Sequence, residues 1–213
     1  MADLFSRHRE LMEKYNDIEA YNGCQIPVSP YNLDARVVQG RIKDMFWRVT
    51  EELSEAVEAI EGWEHKLTGW KESWDSIPAI RHFFEELSDA LHFLVEASIL
   101  ANLQIQDVER ILIIPINVRV EHIIYTVLDP RYKLLLPCSQ IIFDLGIAAN
   151  DFKNKPWKQT EVITDTNKFK QHLLRVWASF GLLLRYLDCT MEDVYNLYNR
   201  KWQVNRWRQN TQY

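Results

Sequence analysis

The sequence predicts an all-α protein, a multi-helix bundle. Only 6 glycines and 7 prolines punctuate 213 residues, so turn formers are scarce and long helical runs follow. Apolar residues recur at i, i+3 and i+4 in segment after segment. One stretch alone, residues 111–128, has the β-branched density of a strand.

Residues 3–21 read as an amphipathic helix, with Leu4, Leu11, Tyr15 and Ile18 at helical intervals. NGCQIPVSPYN is a loop, with an Asn-Gly pair and two prolines. A long helix is expected over residues 34–61, where Phe46, Val49, Leu53, Val57 and Ile60 form one stripe. An aromatic connector with two glycines follows. Pro78 suits the first turn of the next helix, which runs to about residue 102. Residues 104–110 continue it or begin a short helix. In 111–128 the helical surroundings, and Pro115, argue against a strand. Residues 104–165 are therefore read as an insertion built of short helices. A helix begins at Thr166, carrying Phe169, Leu173, Val176, Phe180 and Leu184. The last helix runs from Met191 to about Arg208, with Thr190 as its N-cap and Glu192 and Asp193 in its first turn. No repeat or linker divides the chain, so residues 1–213 are expected to form one domain.

Composition narrows the setting. A net charge of -5 gives no electrostatic footprint for nucleic acid. Cys24, Cys138 and Cys189 are scattered and odd in number, which suits a reducing compartment better than a disulfide frame. The charged N-terminus lacks the apolar core of a signal peptide, and no window reads as a membrane span. The expected setting is the cytoplasm, of a cell or of a phage-infected host.

The informative stretch is RHFFEELSDALHFLVEASILANL, residues 81–103. It is apolar on nearly every side, hence buried, yet Glu85, Glu86 and Asp89 sit inside it. At about 100° per residue, Glu86 and Asp89 fall about 60° apart with Phe93 between them, so their face is no plain solvated stripe. Glu52 and Glu55, also at i, i+3, repeat the device on the preceding helix. Helices joined by a connector pack antiparallel, which would set the two pairs face to face. Four carboxylates together repel one another at low dielectric, and a hard divalent cation with oxygen ligands relieves that cost. A Glu-rich helix face is more often simply solvated, and Glu51, Glu58 and Glu61 fit that reading. A di-iron site is disfavoured, because Asp89 and His92 form the one acid-x-x-His pair in a suitable helix; His92 reads better as a packed core histidine.

The chain ends YNLYNRKWQVNRWRQNTQY, with Arg200, Lys201, Arg206 and Arg208 on one short helix. Lys201, Asn205 and Arg208 make one polar stripe. Such a stripe is either a solvated helix end or a phosphate clamp. Beside an acidic metal nest, the clamp fits a metal-bound polyphosphate.

These residues resemble a known family. E-L-S-E at 52–55 and E-L-S-D at 86–89 are similar to the paired E-x-x-E and E-x-x-D motifs of the all-α NTP pyrophosphatases, the MazG-like enzymes and dimeric dUTPases among them. D-A-L-H-F at 89–93 resembles the Asp-x-x-His-Phe of dimeric dUTPases and phage dCTPase-dUTPases. K-W-Q-V-N-R-W-R-Q-N-T-Q-Y at 201–213 resembles their C-terminal signature, with Lys201, Asn205, Arg208, Gln209 and Tyr213 in register. L-M-E-K-Y-N-D at 11–17 is similar to their first motif through Asn16. Residues 104–165 carry no resemblance.

The resemblance implies an all-α homodimer that hydrolyses a deoxynucleoside triphosphate to the monophosphate and pyrophosphate. It implies two or more Mg2+ ions, with Mn2+ as an alternative, held by Glu52, Glu55, Glu86 and Asp89. One of these, or Glu51, would take the proton of the attacking water. Asn16, Lys201, Asn205, Arg208 and Tyr213 would contact substrate, with Lys66 or Lys71 of the connector as a further phosphate contact. Trp202 stands where the signature has Asn, and Gln212 where it has Gly. Met12 and Glu13 occupy the place of a Gln that faces uracil. An ionised Glu only accepts hydrogen bonds, so a Glu13 facing the pocket would favour an amino-bearing base such as cytosine. Glu13 lies off the Leu11 and Tyr15 stripe, which ranks dUTP first, dCTP or another deoxynucleotide next, and an inactive helical interaction protein last.

Overall fold

The computed structural model describes residues 2–67, 69–113, 130–155 and 157–211. All the regular structure among them is helical. In chain order these are α1 (Ala2–Tyr21), α2 (Arg36–Ala59), a 3-10 turn at Glu64–Lys66, α3 (Trp70–Ser73), α4 (Pro78–Leu100), α5 (Ile105–Ile113), α6 (Pro130–Asp151), α7 (Thr166–Tyr186) and α8 (Met191–Thr211).

Helix α4 is the hub. It packs most extensively on α2, and also on α1 and α8. Phe83, Phe84, Leu87, Leu91, Leu94 and Val95 are all buried along it. Its apolarity on every side is thus met within one chain, and it is no evidence for a second copy. Arg41 of α2 meets Glu96, while Glu52 meets Glu86 and Asp89. Rising residue number on α2 meets falling number on α4, so the two are antiparallel, as the connector predicted.

Local chemistry sets the helix ends. Gly23, at φ +83°, closes α1, and the N–H groups of Gly23 and Cys24 reach back to the carbonyls of Ala20 and Glu19. Pro78 stands in the first turn of α4. Asp165 caps α7 by accepting from the N–H of Lys168 at 3.0 Å. Thr190 and Asp193 cap α8 reciprocally, each side chain accepting from the other's backbone N–H at 2.8 and 3.2 Å.

The region 104–165 departs from expectation. It contains α5 and the 22-residue α6, which packs along α7 and reaches α2. Short helices were expected from the helical surroundings and Pro115, and Pro137 and Gly146 within α6 would locally favour a break. Tertiary burial overrides both, with Leu134, Cys138, Ile141, Leu145 and Ala148 in the core. Asp144 is buried against Ser179, at 2.7 Å, and Arg175, at 2.8 Å. The segment Tyr132–Asp151 is long and apolar enough to cross a membrane by length and composition, so the expectation that no window would be is corrected. Residues 114–129, where the strand-like pattern mostly falls, lie outside the described residues.

Candidate active site

The α2–α4 pair positions the acids. Oxygens of Glu52, Glu86 and Asp89 lie within 4.8 Å of one another. The side chains of Glu86 and Asp89 are 13% and 16% exposed, enough for a ligand to reach and little enough for charge to matter. Burial, then the hydrogen bond to Glu86 and the charges of Asp89, Glu86 and Glu55, push the Glu52 carboxyl up to about 8. Asp89 is raised by burial, against the lowering effect of Lys201. Three crowded carboxylate oxygens that resist joint ionisation are the donor set a hard divalent cation fits. His82 stands 3.0 Å from Glu86, one turn away. Glu55 is exposed and lies outside this trio, although its charge still acts on Glu52.

Helix α8 brings the cations to the acids. Lys201 pairs with Asp89. Lys201, Asn205 and Arg208 all line a cavity of about 300 Å3 that also takes in Glu52 and Asp89. The polar stripe therefore shares one cavity with one acid from each motif, Glu52 and Asp89. Lys71 lies elsewhere: it pairs with Asp193 at 2.6 Å, away from this cavity. Lys66 is exposed. Asn16 is half-buried and is not part of the lining. Tyr213 lies outside the described residues. Met12 is buried in the core and Glu13 is exposed, so neither faces the cavity.

The other end of the cavity was not anticipated. There α2 contributes Arg41, α1 contributes His8 and Glu19, and α4 contributes Glu96. Glu96 is 6% exposed. One of its oxygens accepts from Arg41 Nε at 2.8 Å, and the other stands 3.5 Å from His8 Nε2. Burial alone would raise this carboxyl, but His8 and Arg41 hold it below the usual range. Arg41 Nη1 reaches both oxygens of Glu19 at 2.9 and 3.1 Å. The readable signal was the one used for Asp89: Glu96 is an acid two turns farther along a buried helix. Arg41, Asp44, Arg48 and Glu52 likewise recur along one face of α2.

His92 is a packed core histidine, as the sequence suggested. It stacks on Tyr198 with ring centroids 4.0 Å apart and planes 4° off parallel. Its Nδ1 donates to the Ser88 carbonyl at 2.8 Å. Its Nε2 has no hydrogen-bond partner among the described residues. Burial, reinforced by His8, pushes the imidazole down to about 3.

An aromatic and apolar lining from Leu11, Tyr15, Met45 and Phe93 joins the two polar ends. The cavity thus offers metal-competent acids and phosphate-competent cations at one end, and a fixed polar array at the other.

A protein-family model described as dUTPase matches residues 33–213. No curated protein and no solved structure matches the chain. The family match spans most of the chain and meets an architecture whose regular structure, among the described residues, is all helical, with acids and cations converging on one cavity, and the chain accordingly belongs to the dUTPase family, as a dUTP diphosphatase-like nucleotide pyrophosphohydrolase.

Proposed function

We propose that this chain hydrolyses dUTP to dUMP and pyrophosphate in a Mg2+-dependent reaction. The observation that carries the reading is the shared cavity of Glu52 and Asp89 with Lys201, Asn205 and Arg208. Glu52, Glu86 and Asp89 would hold the ion, and Glu55, one turn along α2, is the nearest further carboxylate. A bound divalent cation supplies charge neutralisation for the phosphates and lowers the pKa of a coordinated water. Lys201 and Arg208 neutralise phosphate oxygens, and the Asn205 amide donates to one. One of the four motif carboxylates, or Glu51 beside them, would receive the proton lost by the attacking water.

dUTP ranks ahead of dCTP because the carboxylate that would have favoured cytosine, Glu13, is exposed and does not line the cavity. The working form is a homodimer acting in the cytoplasm. Tyr132, Leu136 and Phe143 on one face of α6, each about half exposed, leave apolar surface for a partner. Residues 1–213 act as one domain, with 104–165 as an addition around its core.

Pyrophosphate release from each deoxynucleoside triphosphate, with and without Mg2+, tests the reading. dUTP should be the best substrate and chelation should abolish release. A tenfold higher kcat/KM for another deoxynucleotide would displace dUTP.

A further inference from the structure

Arg41 sits about three turns from Glu52 on the cavity face of α2, roughly 16 Å at 1.5 Å per residue. That places it at the opposite end from the acids. If the phosphates lie at the acids, as proposed above, the nucleobase reaches the Arg41 end. His8 and Glu19 of this end come from α1, which precedes the residues matched by the family model.

The hydrogen bonding there is lopsided. Both oxygens of Glu19 face Arg41 Nη1. The oxygens of Glu96 face Arg41 Nε and His8 Nε2. Every carboxylate oxygen of this array already has a nitrogen against it. The third guanidinium nitrogen, Nη2, is engaged by no described residue, and Arg41 lines the cavity. Its side chain is only 20% exposed, yet Nη2 is not sealed from solvent, so this nitrogen is open to an acceptor on a molecule in the cavity. A guanidinium only donates. A base carbonyl oxygen satisfies Nη2, whereas an exocyclic amino group sets donor against donor.

We infer that Arg41, clamped between Glu19 and Glu96, donates from Nη2 to the C4 carbonyl oxygen of the base, where cytosine carries an amino group instead, and so selects uracil over cytosine. The inference rests on the pyrophosphatase reading and deepens it. Arg41 is a specificity residue here, and Glu19 and Glu96 position it.

The test compares kcat/KM for dUTP and dCTP in the wild type, Arg41→Gln and Arg41→Lys. Arg41→Lys keeps a cation between the two carboxylates, which protects the fold, but lacks the planar fork that presents Nη2 while bonding both acids. Thermal melting establishes that each variant is folded. The dUTP:dCTP ratio should fall about tenfold in Arg41→Lys, through KM for dUTP. An equal loss on both substrates, or an unchanged ratio, in a folded variant overturns the assignment while leaving the pyrophosphatase reading intact. A wild type that prefers dCTP overturns it too. A wild type that hydrolyses no deoxynucleotide removes the reading itself, and this inference with it.

Discussion

At the scale of single residues, chemistry concentrates where the sequence places charge inside apolar helix. Glu86 and Asp89 were legible because nothing but function or pairing justifies acids in a buried stretch. Glu86→Gln or Asp89→Asn should cut turnover by at least about 100-fold while leaving the melting profile nearly unchanged, measured by pyrophosphate release. Glu55 was equally legible by spacing, yet it points to solvent. Two carboxylates at i, i+3 share a helix face only loosely, and the partner helix decides which of them is covered. Glu96 was readable by the same logic as Asp89, but its meaning depends on Arg41 and His8, which arrive from distant segments. His92 makes a pH prediction. In the folded chain it is held down to about 3 against an ordinary 6.5, so between those values only the unfolded chain takes the proton. Its contribution to stability is complete above pH 6.5 and is lost as pH falls through that window. Between pH 7 and 5.5 the wild type should lose about 1 kcal/mol more than His92→Gln, as read by urea denaturation at both pH values. Equal losses would show that the imidazole titrates normally.

At the scale of elements, the long periodic helices α1, α2, α4, α7 and α8 were legible because an amphipathic stripe over many turns has one reading. Helix α6 was not, because Pro137 and Gly146 break the pattern locally and only packing against α7 restores it. Helix α8 matters most for the site, since it carries Lys201, Asn205 and Arg208 to the acids on α4. Its start depends on the reciprocal Thr190–Asp193 cap. Thr190→Ala should cost about 1 kcal/mol of stability. The helix that holds Glu52 depends on its packing against α4, where Leu53, the residue beside Glu52, is 1% exposed. Leu53→Ala should destabilise by about 2–5 kcal/mol in the same denaturation measurement.

At the scale of the whole molecule, two antiparallel helices facing a third around one cavity bring opposite charges together within an acidic chain. The all-α class was legible from composition and periodicity. The Arg41 end of the cavity was not, because it joins residues from α1, α2 and α4 that no local window connects. Association is expected at this scale: light scattering at micromolar concentration should give twice the chain mass, and a monomer would contradict the dimer. The most direct test of the central claim is pyrophosphate release from dUTP by the wild type and by Glu86→Gln, each with Mg2+ and with chelator. Mg2+-dependent release by the wild type alone is the predicted result. Release that persists in chelator, or that Glu86→Gln matches, would contradict the assignment of this cavity as a metal-dependent pyrophosphatase site.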